Sequence, residues 1–172
     1  MNDALKAIFE RSSIRQYRSE QIKDEELDSL VKAALSSPST RNSQPWHITV
    51  VQKREVQNRI NEIINPQRDL FYGAPTAIII SYTTDTAENG YFARIDCGIL
   101  IENIAIAAKS MGLGSVILGM SHQALDDIKR RQIEELLCFD EGYHFGIAIA
   151  VGYPETQNQP HTIDENKVTY IR

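Results

Sequence analysis

The sequence predicts an α+β fold, layered α/β/α, with a mixed central β-sheet flanked by helices. Three observations carry this. Helical and strand periods take turns along the chain, without repeats or low-complexity linkers. The strand-like runs, "HITVV" and "TAIIISY", are short and β-branched. The longest helical run, "RIDCGILIENIAIAAKSM", is apolar on more than one face, which requires burial all round or a partner helix from another subunit.

Taken in order, residues 2–10 read as a short helix. An irregular stretch follows, and then "DEELDSLVKAALSS" sets Leu27, Leu30, Val31, Ala34 and Leu35 on one helical face. Asp24, Glu25 and Glu26 suit its first turn, and Pro38 stops it. Residues 47–51 read as a strand, 54–64 as a helix and 76–82 as a buried strand after the turn residues Gly73 and Pro75. The long helix covers 94–111 and ends at Gly112 as a glycine cap. A strand at 114–118, a charged helix at 123–137 and a last strand at 144–154 complete the pattern. Residues 156–172 form an extended tail, with Val168, Tyr170 and Arg172 on one side. It has little to bury against in its own subunit, so a crossing to another subunit is expected.

Composition narrows the function. With 172 residues, 42% of them apolar, the chain suits one domain over residues 1–172 with a core that needs no disulfides or metals. A net charge of −5 and the lack of a lysine-rich stripe argue against a nucleic-acid partner. The first residues show no basic segment followed by an apolar run, and no window has the apolar length of a membrane span, so a cytoplasmic location without membrane contact is expected. Cys97 and Cys138 fall in segments that read as buried helix, without a CxxC, and are read as reduced packing residues.

The glycines of "GLGSVILG" do not form a dinucleotide loop, because they leave a helix and flank a strand rather than the reverse. A helix cap and a turn account for Gly112 and Gly114, leaving Gly119 for close backbone approach to something else. His47, His122, His144 and His161 show no metal-ligand spacing, and Ser121 beside His122 is only a dipeptide. No metal site and no side-chain nucleophile is expected.

Two polar stretches remain. In "RSSIRQYRSE", Arg11, Ser13 and Arg15 alternate, so an extended backbone would turn them toward one anion, with donors suited to phosphate. Composition alone would favour a solvated loop with scattered charges. The second stretch, "SPSTRNSQPWH", tips the balance: it sets Ser39, Thr40, Asn42 and Gln44 beside Trp46 just after a helix end, which suits a polyhydroxylated ligand with a flat ring.

Together with "GAPTAIII", "ARIDCGILIENIAIAAKSMGLGSVILG" and "AIAVGYPE", these stretches resemble, in order and spacing from about residue 8 to 155, the nitroreductase family of flavoproteins, of which this would be a short member. The resemblance implies FMN as cofactor, bound at the interface of a homodimer whose subunits exchange a C-terminal strand. It implies that Arg11 and Ser13 hold the phosphate, that Ser12 is a further cofactor-binding residue, and that Arg15 reaches the ribityl chain and the N1/O2 edge of the ring. Pro38, Ser39, Thr40, Asn42 and Gln44 of the other subunit would line the ring. Val116, Ile117, Leu118 and Gly119 would meet the flavin N5 and O4 through backbone, which would explain the leftover glycine. Where the family places a basic pair after Gly-Tyr-Pro-x-Glu, this chain has Gln159 and His161, with His161, Lys167 or Arg172 as the available cations. The implied activity is hydride transfer from NAD(P)H through FMN to a small acceptor such as a nitroaromatic or quinone, by a ping-pong route with the chemistry on FMN N5. The alternatives are an FMN-storing dimer without turnover and a relative with another flavin reaction, such as flavin fragmentation or dehalogenation.

Overall fold

A computed structural model describes residues 1–85, 90–119 and 127–172. Ser121, His122 and the first residues of the helix expected at 123–137 lie outside the described residues. The elements run α1 (Asp3–Glu10), α2 (Asp24–Leu35), β1 (Trp46–Val51), α3 (Arg54–Ile64), β2 (Thr76–Thr83), α4 (Tyr91–Ser110), β3 (Gly114–Leu118), α5 (Asp127–Leu136) and β4 (Tyr143–Gly152). No described helix is long and apolar enough to cross a membrane.

The four strands form one sheet in the order β1-β2-β4-β3, every neighbouring pair antiparallel. Parallel pairing, which a mixed sheet requires, occurs among the described residues as a single bridge, Ser13 to Ser115, beyond the four strands. The layers follow from the pleat. Along β2, Ile78, Ile80 and Tyr82 pack in a cluster with Leu30 and Ala34 of α2 and with Leu100, Ile101 and Ile104 of α4. Ala77 and Ile79 point the other way, to Ile60 and Ile64 of α3 and Ile133 of α5. A strand buried on both faces needs apolar residues at successive positions, and "AIII" supplies them.

Gly146 corrects the phase of β4. The register steps from Ile80–Ile147 to Ser81–Phe145, so Gly146 is the extra residue of a β-bulge. Phe145 therefore joins the α3/α5 layer while Ile147 packs on the α2/α4 layer, although strict alternation would put both on one face. A Cβ on Gly146 would lie 2.9 Å from the Ile80 carbonyl oxygen, a backbone atom that cannot swing away.

α4 begins at Tyr91, earlier than its sequence pattern suggests, and its two apolar faces are real. Leu100, Ile104, Ala105 and Ala108 are fully buried, while Tyr91, Ile95 and Ile99, at helical i, i+4 and i+8 positions, are 67, 47 and 38% exposed. Leu5, Ile8 and Phe9 of α1, which packs on α4, are also exposed.

Some expectations need correction. Leu35 is exposed rather than part of the buried face of α2. Cys138 is exposed just past the end of α5, with φ 53°, so it is not a packing residue. Cys97 is buried, and burial, then the neighbouring Asp96 charge, pushes its thiol up to about 12. Gly112 is a left-handed cap at φ 78°, but Gly114 belongs to β3 and not to a turn. The tail is extended apart from a 3-10 turn at Glu165–Lys167, and Ile163, Val168, Tyr170 and Ile171 are exposed.

Tyr17 pins the stretch after α1 to the sheet. Its hydroxyl donates to the Ile14 carbonyl at 2.6 Å and lies 3.4 Å from that of Ala150 in β4. Burial raises its pKa, only partly offset by the Arg15 charge.

Two outcomes are expected. Gly146→Ala should destabilise the protein by about 1–3 kcal/mol, the usual cost of overpacking, measured by urea unfolding. Tyr17→Phe should cost about 1 kcal/mol at neutral pH. Because the folded-state pKa of Tyr17 lies above its unfolded value of about 10, its contribution is complete below pH 10 and fades as pH rises beyond it. The difference between wild type and Tyr17→Phe should therefore shrink from pH 8 to pH 11; a constant difference would contradict this account.

Candidate functional site

The stretch carrying Arg11, Ser12, Ser13 and Arg15 leaves α1 extended, with Arg11 as the helix C-cap at φ −62° and ψ 134°. It docks on the outer edge of β3. The Ile14 amide donates to the Ser115 carbonyl at 2.9 Å, and a Cβ on Gly114 would stand 2.9 Å from Ile14 Cγ2. Gly114 is therefore required for close approach: any side chain there would lift the arginine stretch from the sheet.

The two arginines diverge. Arg11 Nε lies 3.3 Å from Glu102 Oε1 of α4, near enough for attraction, yet that buried nitrogen has no aligned hydrogen bond. The Arg15 guanidinium stands 5.7 Å from the centroid of the Tyr72 ring, on the side of the α3/α5 layer. The alternation therefore does not gather them on one compact anion. Arg68 stands 5.4 Å from the same Tyr72 ring and also hydrogen-bonds its hydroxyl. Tyr72 itself is left-handed at φ 56°, in a loop held by Asp69, which accepts from the Phe71 and Gly73 amides at 3.0 and 2.7 Å.

Beside the first half of the stretch is a cavity of about 320 Å³, lined among others by Ser12, Lys109, Gly112, Gly114, Asn158 and Gln159. The tail closes one side of it. Ser12 Oγ donates to the Asn158 carbonyl at 3.0 Å, and Asn158 Nδ2 donates to the Ser13 carbonyl at 2.5 Å. The cation lining it is Lys109, 3.6 Å from Glu10, and not His161, which is exposed beyond the cavity wall. The sequence carried a signal for Lys109, a base in the last turn of a helix just before its glycine cap, but that pattern usually marks helix-dipole compensation.

Pro38, Ser39, Thr40, Asn42 and Gln44 form a separate group at the end of α2. Arg41, Asn42 and Gln44 have φ of 54°, 53° and 45°, a conformation that costs non-glycine residues about 1 kcal/mol or more each. Gln44 N donates to Ser39 Oγ at 2.9 Å and Gln44 Nε2 to Asn42 Oδ1 at 3.1 Å, which folds the loop on itself. Thr40 donates to Asp96 from both its amide and its hydroxyl, at 3.0 and 3.2 Å. Trp46 is buried in β1.

The two groups thus hang from different points of α4, one from Glu102 and the other from Asp96. These positions are about 9 Å apart along the axis and about 120° apart around it. At the sheet edge, Val116 and Leu118 are buried and Gly119 is exposed, with nothing within 4 Å of the place a Cβ would occupy. Among the described residues nothing stands where a Gly119 side chain would be.

Known proteins share this sequence pattern and this fold. The sequence model of the Nitroreductase family matches residues 8–67 and 65–153. An Archaeoglobus fulgidus protein with the provisional name NADH dehydrogenase/NAD(P)H nitroreductase is 32% identical over 166 residues, covering 96% of this chain and 93% of the relative. The crystal structure of a nitroreductase with bound FMN from Desulfitobacterium hafniense DCB-2 superposes with a TM-score of 0.86 at 31% identity, covering all of both chains. An FMN-dependent nitroreductase from Clostridium difficile R20291 superposes with a TM-score of 0.81 at 34% identity, covering 99% of each chain. With matched residues reaching from the arginine stretch through β4, and a shared fold over the whole length, this chain belongs to the nitroreductase family.

Proposed function

We infer that the protein is an FMN-dependent oxidoreductase that takes electrons from NAD(P)H and passes them to a small acceptor. Within a nitroreductase-family chain, one observation carries this reading: the stretch carrying Arg11, Ser13 and Arg15 lies extended along the edge of β3, held close by Gly114. The residues fit a flavin. Arg11 has a buried Nε without an aligned hydrogen bond, a donor open to a phosphate. Arg15 stands apart from Arg11, as an elongated ligand requires, where its charge would favour a ring that gains electrons. The open backbone at Gly119 suits contact with the flat ring without steric conflict.

When bound, FMN would supply the redox chemistry that links the nicotinamide to the acceptor. The chain's part is to bind, orient and tune. Arg11, Ser12 and Ser13 hold the phosphate, and Arg11 gives up its ion pair with Glu102 in doing so. Arg15 is held by the Tyr72 ring. Val116 to Gly119 act through the edge of β3. Pro38, Ser39, Thr40, Asn42 and Gln44, left-handed at two of these positions, serve the site of a second subunit.

A homodimer follows from the same reading. The exposed stripe Tyr91, Ile95 and Ile99, the exposed Leu5, Ile8 and Phe9 of α1, and the apolar tail residues Ile163, Val168, Tyr170 and Ile171 are surfaces a single chain leaves wet. The tail beyond Asn158, which is held to Ser12 and Ser13 of its own chain, crosses to the partner in this arrangement.

The test is spectral. Purified protein should carry a flavin absorbance that NADH or NADPH bleaches without oxygen and that an added quinone restores, and it should sediment as a dimer. Double-reciprocal plots for donor and acceptor should be parallel. Flavin that neither nucleotide bleaches would favour the storage dimer instead.

A further inference from the structure

We propose that Asp96 and Asn103 of α4 form a polar clamp that sets the conformation of the loop 38–44, making Asp96 a positioning residue for the flavin ring. This rests on the flavoprotein reading above and extends it to residues that never reach the ligand.

Three residues of this loop are left-handed, so it stores strain that something outside it must hold. The hydrogen bonds from Gln44 to Ser39 and to Asn42 do not serve, because they move with the loop. Among the described residues, two side chains of α4 attach this segment to the rest of the protein. Asn103 Nδ2 donates to Ser37 Oγ at 2.8 Å and reaches the Ala33 carbonyl at 3.4 Å, fixing the end of α2. Asp96 Oδ1 accepts both donors of Thr40, fixing the turn that follows Pro38. Positions 96 and 103 are two helical turns apart, which places them on one stripe of α4, about 10 Å from end to end. The spacing brackets Pro38 and Ser39 between two anchored points.

Burial gives the second argument. Asp96 is 1% exposed, and its Oδ2 is buried without a hydrogen-bond partner among the described residues. A buried carboxylate half unpaired is costly, and an apolar side chain would pack there at less cost. What Asp96 offers that leucine cannot is one oxygen able to take two donors from Thr40. An asparagine offers that oxygen as well, so the two substitutions should separate.

The experiment uses the full chain, stripped of FMN and titrated with it. Asp96→Leu should weaken FMN binding at least tenfold and shift the flavin midpoint potential, while Asp96→Asn should stay within about threefold of wild type on both. In the FMN-free protein, trypsin should cut after Arg41 several times faster in Asp96→Leu than in wild type or Asp96→Asn. Thr40→Val and Asn103→Ala should move both readouts in the same direction, and they carry the test if Asp96→Leu fails to fold. Wild-type FMN affinity and wild-type cleavage at Arg41 in the folded variants would overturn the clamp. A wild-type protein that takes up no FMN would overturn the flavoprotein reading instead, and the cleavage rates would still decide whether the clamp holds the loop.

Discussion

The burial of α4 against the sheet is the constraint on which the rest of the structure depends. Leu100, Ile101, Ile104, Ala105 and Ala108 fill the space over β2 and β4, and each of the buried leucine and isoleucine side chains contributes roughly 1.5–3 kcal/mol. That packing fixes both the rotation and the height of the helix. Its polar residues are then delivered at set positions: Asp96 to Thr40, Asn103 to Ser37, Glu102 to Arg11 and Lys109 to the cavity beside Ser12. Two stretches distant in sequence, at residues 11–12 and 37–40, are held in one frame because one helix serves both.

Backbone economy does the rest. Gly114 lets Ile14 lie against β3, and Gly146 re-phases β4 so that both of its faces can be apolar. In each case a missing Cβ admits a neighbour that packing would otherwise exclude, and in each case the neighbour belongs to a different element. The left-handed residues Arg41, Asn42, Gln44, Tyr72 and Cys138 spend some of the stability gained in this way, and all of them lie outside the strands and the longer helices. Three of the five fall within residues 41–44, so the strain is densest just after α2.

The same helix explains why a single chain leaves so much apolar surface exposed. One stripe of α4 is consumed by the sheet, while Tyr91, Ile95 and Ile99 on another stripe remain open beside α1. Of the two apolar faces of this helix, the chain itself covers one and leaves the other exposed.

What the sequence determined by itself was local or periodic. The order of helices and strands, the burial of "AIII", the glycine cap at Gly112 and the two-faced character of α4 all follow from side-chain period and backbone freedom, which act within a few residues. The family was legible too, since "RSSIRQY" and "SPSTRNSQPWH" are distinctive in combination. Tertiary structure alone decided the directions. Alternation of Arg11 and Arg15 implied convergence, but their partners, Glu102 and Tyr72, stand on opposite layers, and no local rule records which layer a side chain will find. Cys138 read as buried because its neighbours are apolar, yet α5 ends before it and the backbone turns it out. Lys109 and the pair Asp96 and Asn103 escaped notice for the same reason: a polar residue inside an apolar helix has no meaning until the partner across the fold is known, and that partner is set by packing between segments distant in sequence.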